Sequence, residues 1–244
     1  MPADEHAAAR PSLRERRRAV ATQEIVDAAE IQLGEDGPAA LSLRAVARSL
    51  DMTVQALYHY FPSRDALVTA LVAKAYDDLA AAVQTAVDTA SGGSELPRLV
   101  IAAEGYRRWG ISQPERFQLL YGTPLRYYAA PVEGPTTQAV RRMGALFERE
   151  MFDGFTEDQL AAADVPALSP ALRTYLENLP PSGLGNLPAP AAALFLGAWG
   201  HMHGLVVLEV FGHTGYLGEH QAEIFRVTMR NMTADIHRRI AGQA

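Results

Sequence analysis

Between Ser42 and Phe61 the chain reads SLRAVARSLDMTVQALYHYF, and the hydrophobic spacing in this stretch leaves little freedom of fold. Leu43, Val46, Ala47 and Leu50 recur at i, i+3, i+4 and i+7, the period of a helix with one buried stripe, while Arg44, Arg48 and Ser49 fall elsewhere around it. Ser42 precedes the stripe as an N-cap and Asp51 and Met52 interrupt it; Thr53 caps a second helix whose inward side is Leu57, Tyr60 and Phe61. Pro62 ends that helix. At about 100° per residue, Gln55 and His59 lie opposite Leu57, with Ala56 and Tyr58 on the flanks. An outward face of amide, imidazole, phenol and methyl suits nucleic acid: Gln bonds adenine bidentately, methyls pack on thymine, and Tyr, Thr and His reach phosphates or bases. Two helices about a tight turn, the second with a polar N-terminal half, form a helix-turn-helix arrangement. The same pattern describes an ordinary hairpin in an all-α core, because the geometry is not confined to DNA binders.

Continued through Pro62-Ser63-Arg64-Asp65-Ala66-Leu67, the stretch resembles the N-terminal domain of the TetR family of transcriptional regulators. The resemblance is carried above all by Leu57-Tyr58-His59-Tyr60-Phe61, then Pro62-Ser63-Arg64 and an Ala-Leu pair, and it covers about residues 19–75. It implies an all-α homodimer: a three-helix DNA-binding domain followed by a helical bundle that holds a small-molecule pocket and the dimer contact. The expected DNA-facing residues are Arg17, Arg18, Ser42, Arg44, Thr53, Val54, Gln55, Ala56, Tyr58, His59 and Arg64. Arg64, at the start of the fourth helix, resembles the family's phosphate-clamping Lys or Arg; a plain solvated charge is the other reading. Two departures matter. Leu50 and Asp51 stand where the family carries a small residue and Gly, although an Asp tolerates unusual backbone dihedrals better than most residues. Val54 and Gln55 replace the Lys and Gly that often open the recognition helix, so base preference does not transfer from relatives.

Net charge works mildly against a DNA binder, being −6 overall, with 8 Arg against 10 acidic residues in positions 1–65. The charge is uneven, however: Arg10, Arg14, Arg16, Arg17 and Arg18 cluster against Glu15 alone, a local stripe sufficient for phosphate contact. With no hydrophobic period there, residues 1–18 are expected to form a mobile basic arm, either a solvated tail or a segment entering the minor groove. Residues 19–66 then form the helix-turn-helix domain and 67–244 the ligand-binding and dimerisation domain. The absence of cysteine excludes disulfides and thiolate metal sites, and neither a secretory signal nor an 18-residue apolar run is seen; a cytoplasmic protein without a membrane span is expected.

Further along, a first helix carries Ile25, Ala28, Ala29 and Leu33 up to Gly34. A fourth, from about Arg64 to Val87, carries Leu67, Leu71, Ala75, Leu79 and Val83 at near-heptad spacing; in the family it is the natural lever, and Ser91–Ser94 reads as a hinge. Helices are expected over about 96–111, from Pro114 to Gly122, and over 136–152, with a loop at Tyr127, Tyr128 and Pro131–Pro135. Residues 153–188, rich in Pro and Gly, are expected to be mobile apart from a helix near 168–179. The helix at about 190–211 is apolar nearly all round and must be buried on more than one side; with 217–240 it suits a two-fold, four-helix interface, the other reading being an intramolecular core. In the second of these the stripe reads Ile224, Phe225, Thr228, Met232, Ile236 and Ile240.

Trp199-Gly200-His201-Met202-His203-Gly204 resembles the WHG type of TetR C-terminal domain. Trp199 and His203 share a helix face, and Tyr106, Trp109, Phe117, Tyr121, Met143 and Phe147 supply the remaining material for an apolar ligand cavity; plain core is the other reading of these residues. His201 and His203 face about 200° apart and cannot chelate one ion, so neither metal nor cofactor is expected. No GxSxG, P-loop or GxGxxG motif occurs, nor a nucleophile-base pair, and an enzyme is not expected. The chain thus reads as a regulator, a repressor released from a palindromic operator by an apolar or amphipathic effector. The alternative is an all-helical binding protein or enzyme that keeps the fold without operator binding.

Overall fold

A computed structural model describes residues 12–90, 95–122, 128, 133–179 and 186–242. The described chain is all-α, without strands. It divides into two compact units, the first taking residues up to Leu71 together with Tyr128, the second taking the remainder from Val72. Helices α1 (Leu13–Asp36), α2 (Leu43–Ser49) and α3 (Val54–Tyr58) belong to the first unit. Helix α4 (Arg64–Ala90) is continuous across the division, and α5 (Arg98–Ser112) to α11 follow in the second.

The basic segment differs from expectation. Residues 13–18 are the opening turns of α1 rather than a mobile arm, because Ser12 and Glu15 form a capping box: Ser12 Oγ accepts from Glu15 N at 3.2 Å, and Ser12 N donates to the Glu15 carboxylate at 2.7 Å. Residues 1–11, Arg10 among them, lie outside the described residues. No residue of α1 is buried before Ile25, after which Ile25, Val26, Ala29 and Leu33 pack inward. Gly37, at φ 78°, terminates the helix and returns its N–H to Leu33 O.

The α2–α3 turn is a Schellman motif with an unusual occupant. Asp51 N–H donates to Arg48 O at 3.2 Å and Met52 N–H to Ala47 O at 2.9 Å, with Asp51 itself at φ 54°. Asp51 is the only non-glycine residue at positive φ among the described residues. Thr53 Oγ1 then accepts from Ala56 N at 3.1 Å and opens α3. Ser42 occupies the N-cap of α2 without a side-chain capping bond; its own N–H donates to Gln32 Oε1 at 3.3 Å. In the same unit Thr69 and Tyr128 share a hydroxyl hydrogen bond of 3.2 Å.

The second unit is a bundle whose central member, α5, packs against α6 (Pro114–Tyr121), α7 (Pro135–Phe152), α10 (Ala189–Val210) and α11 (Gln221–Ala241). Gly105 allows α5 to cross α4 closely, since a Cβ there would meet Ala86 Cβ at 2.9 Å and the Val83 backbone at 3.2 Å. Arg98 and Arg149 clamp the buried carboxylate of Glu150. Burial pushes that carboxyl up, but the hydrogen bonds from Arg98 and Arg149 outweigh it and hold its pKa below the ordinary range.

Residues 153–179, expected to be largely mobile, are mostly exposed but are anchored to the core at a few positions. They contain α8 (Glu157–Ala161), which was not anticipated, and α9 (Pro170–Glu177). Leu160, Ala163 and Leu176 are buried, and Asp164 N–H donates to Arg239 O at 2.8 Å. The apolar residues were spaced too widely among Pro and acidic residues to show a period. In α11 the inner stripe is Phe225, Met229, Thr233, Ile236 and Ile240, whereas Ile224, expected inward, is exposed. Helix α10 is long and apolar enough to match a membrane span by length and composition. One of its sides nevertheless packs on α5, α8, α9 and α11.

The positive φ at Asp51 gives a stability test. Asp51→Gly is expected to stabilise the protein by up to about 1 kcal/mol, and Asp51→Val to destabilise it by about 1–2 kcal/mol, because only the glycine adopts that backbone without steric cost. Urea denaturation reads both.

Candidate functional site

Helix α3 seals Leu57 completely and leaves Thr53, Gln55, Tyr58 and His59 exposed, with Val54 and Ala56 half-buried. Its short length, five residues, is stabilised at both ends. Thr53 caps the start, and at the finish Arg18 Nη2 donates to the His59 carbonyl at 2.9 Å while its guanidinium lies 5.5 Å above the Tyr60 ring. Arg18 thus braces α3 from α1. Arg17 and Arg44 are exposed, on α1 and α2. Arg64 is half-buried and donates from Nε to the Leu41 carbonyl at 3.2 Å, fastening the start of α4 to the segment before α2. The first unit therefore presents a polar surface of neutral hydrogen-bonding groups, with arginines on α1 and α2, over a closed apolar core.

In the second unit the aromatic candidates gather around Tyr106. Its ring centroid is 5.5 Å from that of Trp199, 6.0 Å from Phe147, 6.1 Å from Phe117 and His203, and 6.3 Å from Tyr121. Tyr106 Oη lies 2.7 Å from His203 Nδ1. Burial raises the phenol pKa and lowers that of the imidazole, which favours the neutral form of each, and the two share one hydrogen bond. Trp199 and His203 stack one turn apart on α10, their planes 4° from parallel. Trp109 is buried on α5, and Met143 is buried on α7.

Beside this cluster lies a cavity of about 1130 Å³, and of the sequence candidates Tyr121, Met143 and Trp199 line it. Tyr106, Trp109, Phe117, Phe147 and His203 do not: they form the packed wall behind. The remaining lining comes mainly from one face of α7, where Val140, Gly144, Glu148 and Phe152 recur every four residues, and from Tyr76, Phe155, Leu187 and Phe195. That four-residue step was visible in the sequence; Gly and Glu within it concealed an apolar-walled face. Among the described residues no group of His, Cys, Asp and Glu is arranged to hold a metal ion.

Replacing Tyr106 with Phe removes the hydroxyl and leaves Nδ1 of the half-buried His203 without its partner. A loss of about 1–3 kcal/mol is expected in urea denaturation at pH 7.5, with the ring packing retained.

Comparison with known proteins agrees with this two-part architecture. Residues 25–71 match the model of bacterial regulatory proteins of the tetR family, and residues 99–232 match a tetracyclin repressor-like C-terminal domain. HTH-type transcriptional regulators of Mycobacterium bovis and Mycobacterium tuberculosis are 35% identical over 191 residues, 78% of this chain and 81% of theirs. Among solved structures, SCO4313, described as a regulatory protein, superposes with a TM-score of 0.70 at 29% identity, over 91% of this chain and 98% of its own. A Rhodococcus protein of unknown function superposes at 0.61 and 21% identity, over 96% and 99%, and shows the fold alone. The helix-turn-helix unit and the helical domain after it are thus both those of one family, and the chain is a TetR-family transcriptional regulator.

Proposed function

We propose that the protein is a one-component repressor that binds a palindromic operator as a homodimer and is released by a small apolar or amphipathic effector. The observation that carries this reading is the exposure of Thr53, Gln55, Tyr58 and His59 over the sealed Leu57, on a helix braced by Arg18. Two copies of α3 would enter successive major grooves, half-sites about 34–36 Å apart or a multiple of that. Arg17, Arg44 and Arg64 would serve the phosphates, with Ser42, Val54 and Ala56 at the margin of the reading face. The cavity between helices of residues 96–211 would take the effector, whose differential affinity for two dimer states needs to supply only about 1–3 kcal/mol to change operator affinity 5- to 150-fold. The Trp199-to-Gly204 motif, inside the matched C-terminal region, supports assignment to the WHG type. A regulator acting on DNA is expected in the cytoplasm.

Residues 190–240 are proposed as the dimer contact. Leu196, Gly197, Gly200, Leu208 and Phe211 fall on one exposed side of α10, and Ile224 and Val227 are exposed on α11. A Cβ added at Gly197, Gly200 or Gly204 would meet nothing within 4 Å, which leaves that side open to close approach by another helix. An apolar helix with one side packed and the other bare is the pattern of an isologous interface.

Anisotropy titration on labelled DNA flanking the protein's own gene tests operator binding. Tyr58→Ala and His59→Ala are each expected to weaken it by about 1–3 kcal/mol, and unchanged affinity in both removes the reading face. Gly200→Arg is expected to convert the dimer to a folded monomer in sedimentation velocity. A dimer that persists in this variant, or a native protein that is monomeric, overturns the interface.

A further inference from the structure

The class of molecule that suits the cavity follows from the charges in its wall, an argument that rests on the effector reading above. Three arginines line it, and each is already engaged. Arg141 pairs with Glu133 at 2.7 Å, Arg142 pairs with Asp77, and Arg149 pairs with Glu150 at 2.6 Å and donates to Gln84 at 2.8 Å. Glu148 lines the same cavity, half-buried, and has no hydrogen bond or ion pair among the described residues. Burial raises its pKa, and the arginines of the lining are each paired elsewhere. Asp153 and Glu157, both exposed, add negative charge to the lining. The rings of Tyr76, Tyr121, Phe152, Phe155 and Trp199 complete it.

An unneutralised carboxylate beside several aromatic rings complements one chemistry in particular. A cation gains both from the carboxylate and from the negative faces of the rings. An anion would have to displace a carboxylate from an arginine and would then meet Glu148. A neutral ligand would exclude water from Glu148 and return nothing to its charge. We propose that the cavity takes an apolar molecule bearing a protonated amine, its ammonium on the Glu148 carboxylate and its hydrocarbon body against Tyr121, Phe152, Phe155 and Trp199.

Three probes of one skeleton test this by calorimetric titration of the full-length protein: 4-phenylbutylamine, 4-phenylbutan-1-ol and 4-phenylbutyrate. The amine is expected to bind at least about tenfold more tightly than the alcohol, and the carboxylate most weakly. In Glu148→Gln the amine should lose that advantage while the alcohol binds as before. Glu148 has a raised pKa in the folded state, so the stability present while it is protonated is lost as pH rises from its unfolded pKa through its folded one. The Gln variant should therefore melt at or above the native temperature at pH 7.5, which separates lost binding from lost structure. An amine that binds no better than the alcohol, or an amine affinity indifferent to Glu148→Gln, overturns the ammonium class while alcohol binding upholds the cavity as a ligand site. If none of the three binds at millimolar concentration, both the class and the effector reading of this cavity fall.

Discussion

A phenol and an imidazole, Tyr106 and His203, meet at 2.7 Å inside a ring of aromatic side chains, and this bond sets the register of α5 against α10. A buried polar pair is unforgiving: when satisfied it specifies one arrangement, and when broken it strands a group away from water. One residue along α5, Arg107 forms a two-pronged ion pair with Glu209 near the other end of α10, with both side chains largely buried. Arg98 ties the beginning of α5 to Glu150 on α7. Polar contacts near its start and along its middle thus hold α5 to its neighbours, and well-packed apolar residues could replace their energy more readily than their specificity. The cavity stays open beside these contacts because its back wall is fixed by bonds that do not depend on filling it.

Helix α10 serves two sides at once. Trp199 points into the cavity and stacks on His203, while Gly200, the next residue, lies on the bare side. A disturbance that turns α10 about its axis is therefore felt at the cavity lining and at the proposed dimer contact together. No long chain of intermediates is needed, because adjacent residues of one rigid helix serve both.

Much of this was legible in the sequence, for reasons that differ by element. The period of Leu43, Val46, Ala47 and Leu57 fixed α2 and α3, because a short amphipathic helix has few other ways to hide its stripe. Asp51 at φ 54° bears out the view that this residue could replace glycine in the turn. The start of α1 was missed although its signal was present, since Ser12-Arg14-Glu15 carries a capping box with no apolar period behind it. Within residues 153–179 the helix near 168–179 was read and is α9, whereas α8 was missed because it is held by a single buried leucine, Leu160, and one contact makes no pattern. The cavity wall escaped for a third reason. Sequence reading collected the bulky aromatics, which fill space, whereas an empty volume is bounded by the small and mixed side chains of α7, Gly144, Ala145 and Glu148 among them.

The overhanging part of α1 has a kinetic meaning. From Leu13 to Glu24 no residue is fully buried, yet the segment continues turns that Ile25 to Leu33 already anchor. The costly step of helix formation, closing the first turn, is thereby met within the core, and each further residue only propagates. Arg14, Arg16 and Arg17 consequently stand at fixed heights along an axis, at about 1.5 Å per residue, instead of wandering on a coil. In the proposed complex an encounter with a polyanion would fix few additional torsions, the segment being a pre-set comb of charge whose last tooth, Arg18, is already committed to holding α3.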